Sequence, residues 1–211
     1  MKNIEKNDLL TSDELKIRLL DWLMSKKKKT IFANEVLFSQ KRRRADLVCF
    51  NKNTMTAFEI KGDLDNTSKL QKQTEDYVNT FDKVFIVTTK KNMNLILKKI
   101  KKKNVGIIFY DGKFKIIREA DLNVVRKLEL LYLLDRGTLL KEMKKKKNTI
   151  STDDIRKQAY NTISLKRIKE MSYEKMFIRY QPLFKLFLKD RYKKTQIDDL
   201  LNLTGAISLL R

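Results

Sequence analysis

The chain has 211 residues, 42% of them hydrophobic and 35% charged, a balance that suits a water-exposed folded protein with one sizeable core and excludes an intrinsically disordered chain. Lys and Arg outnumber Asp and Glu by 48 to 26, a formal charge of +22, so polyanions are the partners favoured by counterion release; a lysine-rich genome is the bland alternative. With no histidine and one cysteine, Cys49, the chain excludes Ser-His and Cys-His triads, imidazole metal sites, intrachain disulfides and cysteine-rich zinc modules.

No apolar run approaches the roughly 18 residues of a membrane span, and MKNIEKNDLL lacks the apolar centre of a signal peptide, so a cytoplasmic protein without a membrane partner is expected. Thr11 and Glu14 have capping-box spacing, and Leu15, Leu19, Trp22 and Leu23 recur on one face, predicting a first helix that ends in the lysine run at 26–29. Residues 30–38 read as a strand containing Glu35, and Lys41, Arg42, Arg43 and Arg44 as a basic turn. Strands at 45–50 and 54–61 flank an Asn51-Lys52-Asn53 hairpin turn.

Gly62 breaks the third strand, and residues 65–68 offer caps for a helix carrying Leu70, Gln73, Tyr77 and Val78. The nearly continuous apolar run at 83–89 predicts a strand buried on both faces. Residues 90–103 have helical character with a basic end, and Asp111-Gly112 joins strands at 105–110 and 113–118. Gly106 to Lys113 only mimics a phosphate-binding loop, because its spacing is wrong and Phe114 stands where Ser or Thr should follow.

After Asp121 the β-branched runs give way to helical periodicity through Leu128, Leu131, Leu134 and Leu139, and Pro182 is expected to open a late helix at its first turn. The expected architecture is α/β: a mixed sheet flanked by helices over residues 1–120, then a helical C-terminal region over 121–211, with a linker near 144–150. Both parts are basic, with 27 positive against 15 negative side chains in the first and 21 against 11 in the second.

Alternation puts Glu59 and Lys61 on one face of their strand, and the hairpin lays Asp46 near Glu59. Two such carboxylates suit Mg²⁺ or Mn²⁺, and a neighbouring Lys61, its pKa lowered or its charge aimed at the transition state, suits hydrolysis of a phosphodiester. Asp46, then Glu59-Ile60-Lys61 thirteen positions on, then Gln73 and Tyr77 on the next helix, resembles the PD-(D/E)XK, restriction-endonuclease-like, nuclease superfamily, although Ala45 stands where a proline often precedes the Asp.

The resemblance covers about residues 10–120 and implies a restriction-endonuclease-like core. It further implies Asp46, Glu59, the Ile60 carbonyl and upstream Glu35 as Mg²⁺ (or Mn²⁺) ligands, Lys61 as the catalytic lysine, and Gln73 and Tyr77 as residues that orient the site and meet nucleic acid. On that reading the chain is a metal-dependent deoxyribonuclease of repair, defence or mobile-element biology, with Arg42, Arg43 and Arg44 gripping DNA phosphates. The alternative is a basic protein that binds or regulates nucleic acid without cutting it. A homo-oligomer, or a protein partner on the C-terminal helices, is compatible with either.

Overall fold

In the computed structural model, which describes residues 9–26, 29–51, 53–144 and 150–205, six strands lie side by side in chain order. β1 (Ile31–Phe38), β2 (Arg43–Phe50) and β3 (Met55–Lys61) form an antiparallel meander. β4 (Lys83–Thr89) and β5 (Gly106–Tyr110) continue parallel to β3, and β6 (Phe114–Arg118) returns antiparallel to β5. The mixed α/β sheet expected from the apolar runs is therefore present.

Helix α1 (Ser12–Lys26) covers one face, packing Leu15, Leu19, Leu20 and Leu23 on Phe32, Leu47, Phe58 and Ile60. The capping box forms: the Thr11 N–H donates to Glu14 Oε2 at 2.9 Å and the Glu14 N–H to Thr11 Oγ1 at 3.2 Å. The crossover helices α2 (Leu70–Thr80) and α3 (Met93–Lys99) lie on the other face with α4 (Lys127–Leu131), α5 (Arg136–Glu142) and α6 (Thr152–Thr162). The long α7 (Leu165–Asp190) gives Ile168, Met176 and Tyr180 to that core and Phe187 to the one under α1.

The short α8 (Asp199–Asn202) and the residues after it close the β1 edge, where the Asn34 N–H donates to the Leu203 carbonyl at 2.9 Å. Among the described residues no strand pairs with the outer side of β6, where Ile116 and Ile117 are both exposed.

Several local expectations fail for identifiable reasons. Arg43 and Arg44 belong to β2 rather than to a turn, because they pair with Phe38 and Leu37. Asp65 to Ser68 do not cap α2, whose N-cap is Lys69; Asp65 instead accepts the Gly62 N–H at 2.7 Å and Asn66 the Ser68 N–H at 2.7 Å. The helix expected across 90–103 contracts to α3, since the apolar residues there that reach the core, Met93, Ile96 and Ile100, span only that stretch. Pro182 lies inside α7 rather than at its start, so the helix continues past it without the one backbone bond that its missing N–H removes. The expected linker near 144–150 falls largely outside the described residues.

The helical layer is tied to the sheet through Asp82, only 1% exposed. Its Oδ2 accepts the Met55 N–H at 2.8 Å and the Tyr173 hydroxyl, and its Oδ1 meets Lys169 Nζ at 2.7 Å. Two α7 side chains and the first residue of β3 thus converge on one carboxylate. Asp82→Ala should lower unfolding stability in urea by about 2–3 kcal/mol, because it leaves the buried Met55 N–H and the Tyr173 hydroxyl without their acceptor, whereas Tyr173→Phe should cost only about 1 kcal/mol.

Candidate functional site

The centre of the sheet is charged. All seven residues of β3 are buried, including Glu59 and Lys61, which take the face opposite Phe58 and Ile60. Continuing the Leu47–Phe58 register by one step sets Asp46 across from Glu59, and Asp46 Oδ2 accepts the Ile60 N–H at 2.7 Å. Lys61 Nζ contacts Glu59 Oε1 at 2.7 Å. The hairpin therefore brings together Asp46, Glu59 and Lys61.

Tyr77 reaches the cluster from α2, 1% exposed, with its hydroxyl donating to the Arg44 carbonyl at 3.3 Å. Its ring packs edge-on against Phe38 at 4.8 Å. Gln73 stands one helical turn earlier, partly exposed.

Glu35 lies opposite Asp46, between the pairs Asn34–Leu47 and Val36–Ala45. Its φ of +51° marks a switch of pleat: Ala33 and Val36 both point into the core under α2, an outcome strict alternation forbids. Glu35 turns to Lys16 of α1, whose Nζ meets Glu35 Oε1 at 2.8 Å and Asn34 Oδ1 at 3.1 Å. Neither Lys16 nor Asn34 stood out in the sequence; Lys16, inside the apolar helical stripe between Leu15 and Leu19, was the available signal.

Burial, followed by the Glu59 charge, pushes the Asp46 carboxyl up to about 7 against the opposing pull of the Ile60 N–H, Lys16 and Lys61. For Lys61, burial works to lower the pKa, but Glu59, Asp46 and Asp65 outweigh it and the net shift is upward. Of the two alternatives expected of Lys61, a lowered pKa or a retained charge, the surrounding acids oppose the first and keep it an ammonium. Burial, then the Glu59 and Asp46 charges, also hold the Tyr77 hydroxyl well above its usual range.

Glu59 is engaged by Lys61, Asp46 by the Ile60 N–H and Glu35 by Lys16, and no three acids among the described residues are grouped to hold a metal ion. Asp63 and Asp65 serve the loop after β3: Asp63 accepts the Leu10 N–H at 2.8 Å and the Thr89 hydroxyl at 2.5 Å. Gly62 is needed there, since an added Cβ would lie 2.6 Å from the Ser12 nitrogen. Of the arginines, Arg43 shares Asp76 with Lys41, whereas Arg42 and Arg44 are exposed.

The family model for bacteriophage P4 protein cII matches residues 5–204. The chain belongs to this family. Protein cII of Enterobacteria phage P4 is 30% identical over 216 residues, covering 94% of this chain and 80% of that protein. A solved protein of unknown function from Silicibacter pomeroyi is similar over 68% of this chain and 99% of its own, with 12% identity and a TM-score of 0.42, and bears on neither fold nor function.

Membership in the P4 cII family overturns the resemblance to PD-(D/E)XK nucleases and, with it, the assignment as a metal-dependent deoxyribonuclease or other hydrolase. Within the fold the charges of this cluster are satisfied internally, Glu59 by Lys61 and Asp46 by the Ile60 N–H.

Because the folded pKa of Asp46 is raised, the stability it contributes is present at low pH and is lost as pH climbs from its unfolded value near 4 through about 7. Asp46→Asn should therefore gain on the wild type across that window, reaching about 2–4 kcal/mol above pH 7 in urea titrations; a pH-independent difference would refute the shift. Lys61→Met, which strands Glu59, should lose about 3–5 kcal/mol at pH 7 in the same assay.

Proposed function

We propose that this member of the P4 cII family is a non-catalytic nucleic-acid-binding protein with a regulatory role, acting on DNA by occupying it. The observation that carries the reading is the charge of +22. Much of it is on the surface: Arg42, in the turn before β2, and Arg44, within it, are exposed, and Lys98, Lys101 and Lys102 line a cleft with Gln71 and Thr74 of α2. Such groups neutralise phosphates without reading bases, so affinity should fall steeply with salt. The acids of the sheet centre are engaged in ion pairs and backbone bonds, which suits binding without a metal. No helix among the described residues is long and apolar enough to cross a membrane.

Fluorescence anisotropy with a labelled DNA duplex tests this. Binding at 50 mM salt should survive EDTA and Glu59→Gln and weaken log-linearly with salt. Arg42→Ala/Arg44→Ala should cut affinity about tenfold at 100 mM salt and flatten the salt slope by about two. Absence of binding to any nucleic acid, or salt-independent binding, would refute the reading.

A further inference from the structure

A groove separate from the charged sheet centre runs between α1, the β5–β6 hairpin and residues 194–196. Its floor is aromatic. The rings of Trp22 and Phe114 lie 5.2 Å apart at 34°, and those of Phe114 and Tyr110 lie 4.7 Å apart at 52°. All three are only partly buried, unlike Phe32, Phe38 or Phe81, which are at most 1% exposed. Each packs on the core under α1 on its inner side, with Phe114 touching both other rings, and keeps part of its surface open at the groove wall.

The rim is cationic. Arg18 sits 5.7 Å over the Tyr110 ring and donates to its hydroxyl at 2.8 Å, fixing that ring at the groove wall. Lys26, Lys113 and Lys194 are exposed, and none of them pairs with a carboxylate among the described residues. The acid in the lining, Asp21, is already engaged by Arg191 at 3.0 Å and by the Thr195 hydroxyl at 2.6 Å. The neighbouring cleft beyond Arg18 carries Glu14, Asp63 and Asp111, a mixed lining that does not favour an anion.

We propose that the Trp22–Phe114–Tyr110 groove binds single-stranded DNA, its bases stacked on the aromatic rings and its phosphates on the surrounding lysines and Arg18. Aromatic platforms inside positive grooves serve unpaired strands because every base has a stacking face, while the bases of a duplex are already stacked on each other. Gly112, at φ +70° in the hairpin turn, has open space where a side chain would stand and leaves the groove mouth unobstructed. The proposal rests on the nucleic-acid reading above and adds to it a place and a strand state.

Trp22 is the sole tryptophan, so its fluorescence reports the groove directly. Titration with an oligo-dT 15-mer at 50 mM salt should quench it, and labelled-oligomer anisotropy should give matching affinity. Trp22→Ala should weaken single-strand binding tenfold or more, with Trp22→Phe recovering most of the loss. Lys113→Glu/Lys194→Glu, at exposed positions that leave the thermal midpoint unchanged, should weaken it by a similar factor and by more than it weakens binding of a blunt duplex, while the two Trp22 variants change duplex affinity less than twofold.

Single-strand binding without quenching, unchanged by these substitutions, would overturn the groove and leave the nucleic-acid reading standing. Tenfold tighter binding of oligo-U RNA than of oligo-dT would overturn DNA as the occupant. Failure of both single strand and duplex to bind would overturn the groove and the underlying reading together.

Discussion

The burial of charge at the centre of the sheet is the constraint around which this fold is arranged. β3 has neighbours on both sides and both faces covered, yet carries Glu59 and Lys61. Isolated, either charge would cost several kcal/mol to desolvate; together at 2.7 Å they neutralise one another, with the Ile60 N–H satisfying Asp46 alongside. The pleat switch at Glu35 follows from the same need. By turning Glu35 toward Lys16 of α1, the chain separates it from Asp46 and keeps three carboxylates from crowding one place.

A second buried carboxylate does for the helices what the first group does for the strands. Asp82 precedes β4 and gathers Lys169 and Tyr173 of α7 together with the Met55 N–H. Apolar contact alone leaves a long helix free to slide or rotate, whereas a shared acceptor fixes its register. From that anchor α7 carries Tyr180 into one core and Phe187 into the other, and the chain after it returns to cap the β1 edge at Asn34. At the opposite edge β6 has no outer partner among the described residues, and beside it lies the aromatic groove with its basic rim.

Local elements were largely legible. The capping box at Thr11 and Glu14, the Asn51 turn whose side chain accepts from Asn53 and Thr54, and the apolar runs of β3 and β4 each depend on residues a few positions apart. Errors arose where tertiary partners decided. Pro182 continues α7 because the packing of Tyr180, Phe184 and Phe187 outweighs one lost backbone bond. Asp65 left the helix start to bind Gly62. At the candidate site the hairpin correctly brought Asp46, Glu59 and Lys61 together, but residue types and spacing do not distinguish a metal-dependent catalyst from a neutralised buried charge cluster. Membership in the P4 cII family decides against the nuclease.

What the sequence determined by itself is the α/β pattern, the adjacency of the charged strands and the excess of positive charge, because these follow from short-range periodicity and from counting. What only the tertiary structure decided is which partner each charge takes and where the exposed rings gather. Lys16 with Glu35 joins residues 19 apart, Tyr173 with Asp82 residues 91 apart, and Trp22 with Phe114 a helix with a distant hairpin. Such pairs form because packing layers bring remote segments together, and no local pattern in the chain encodes them.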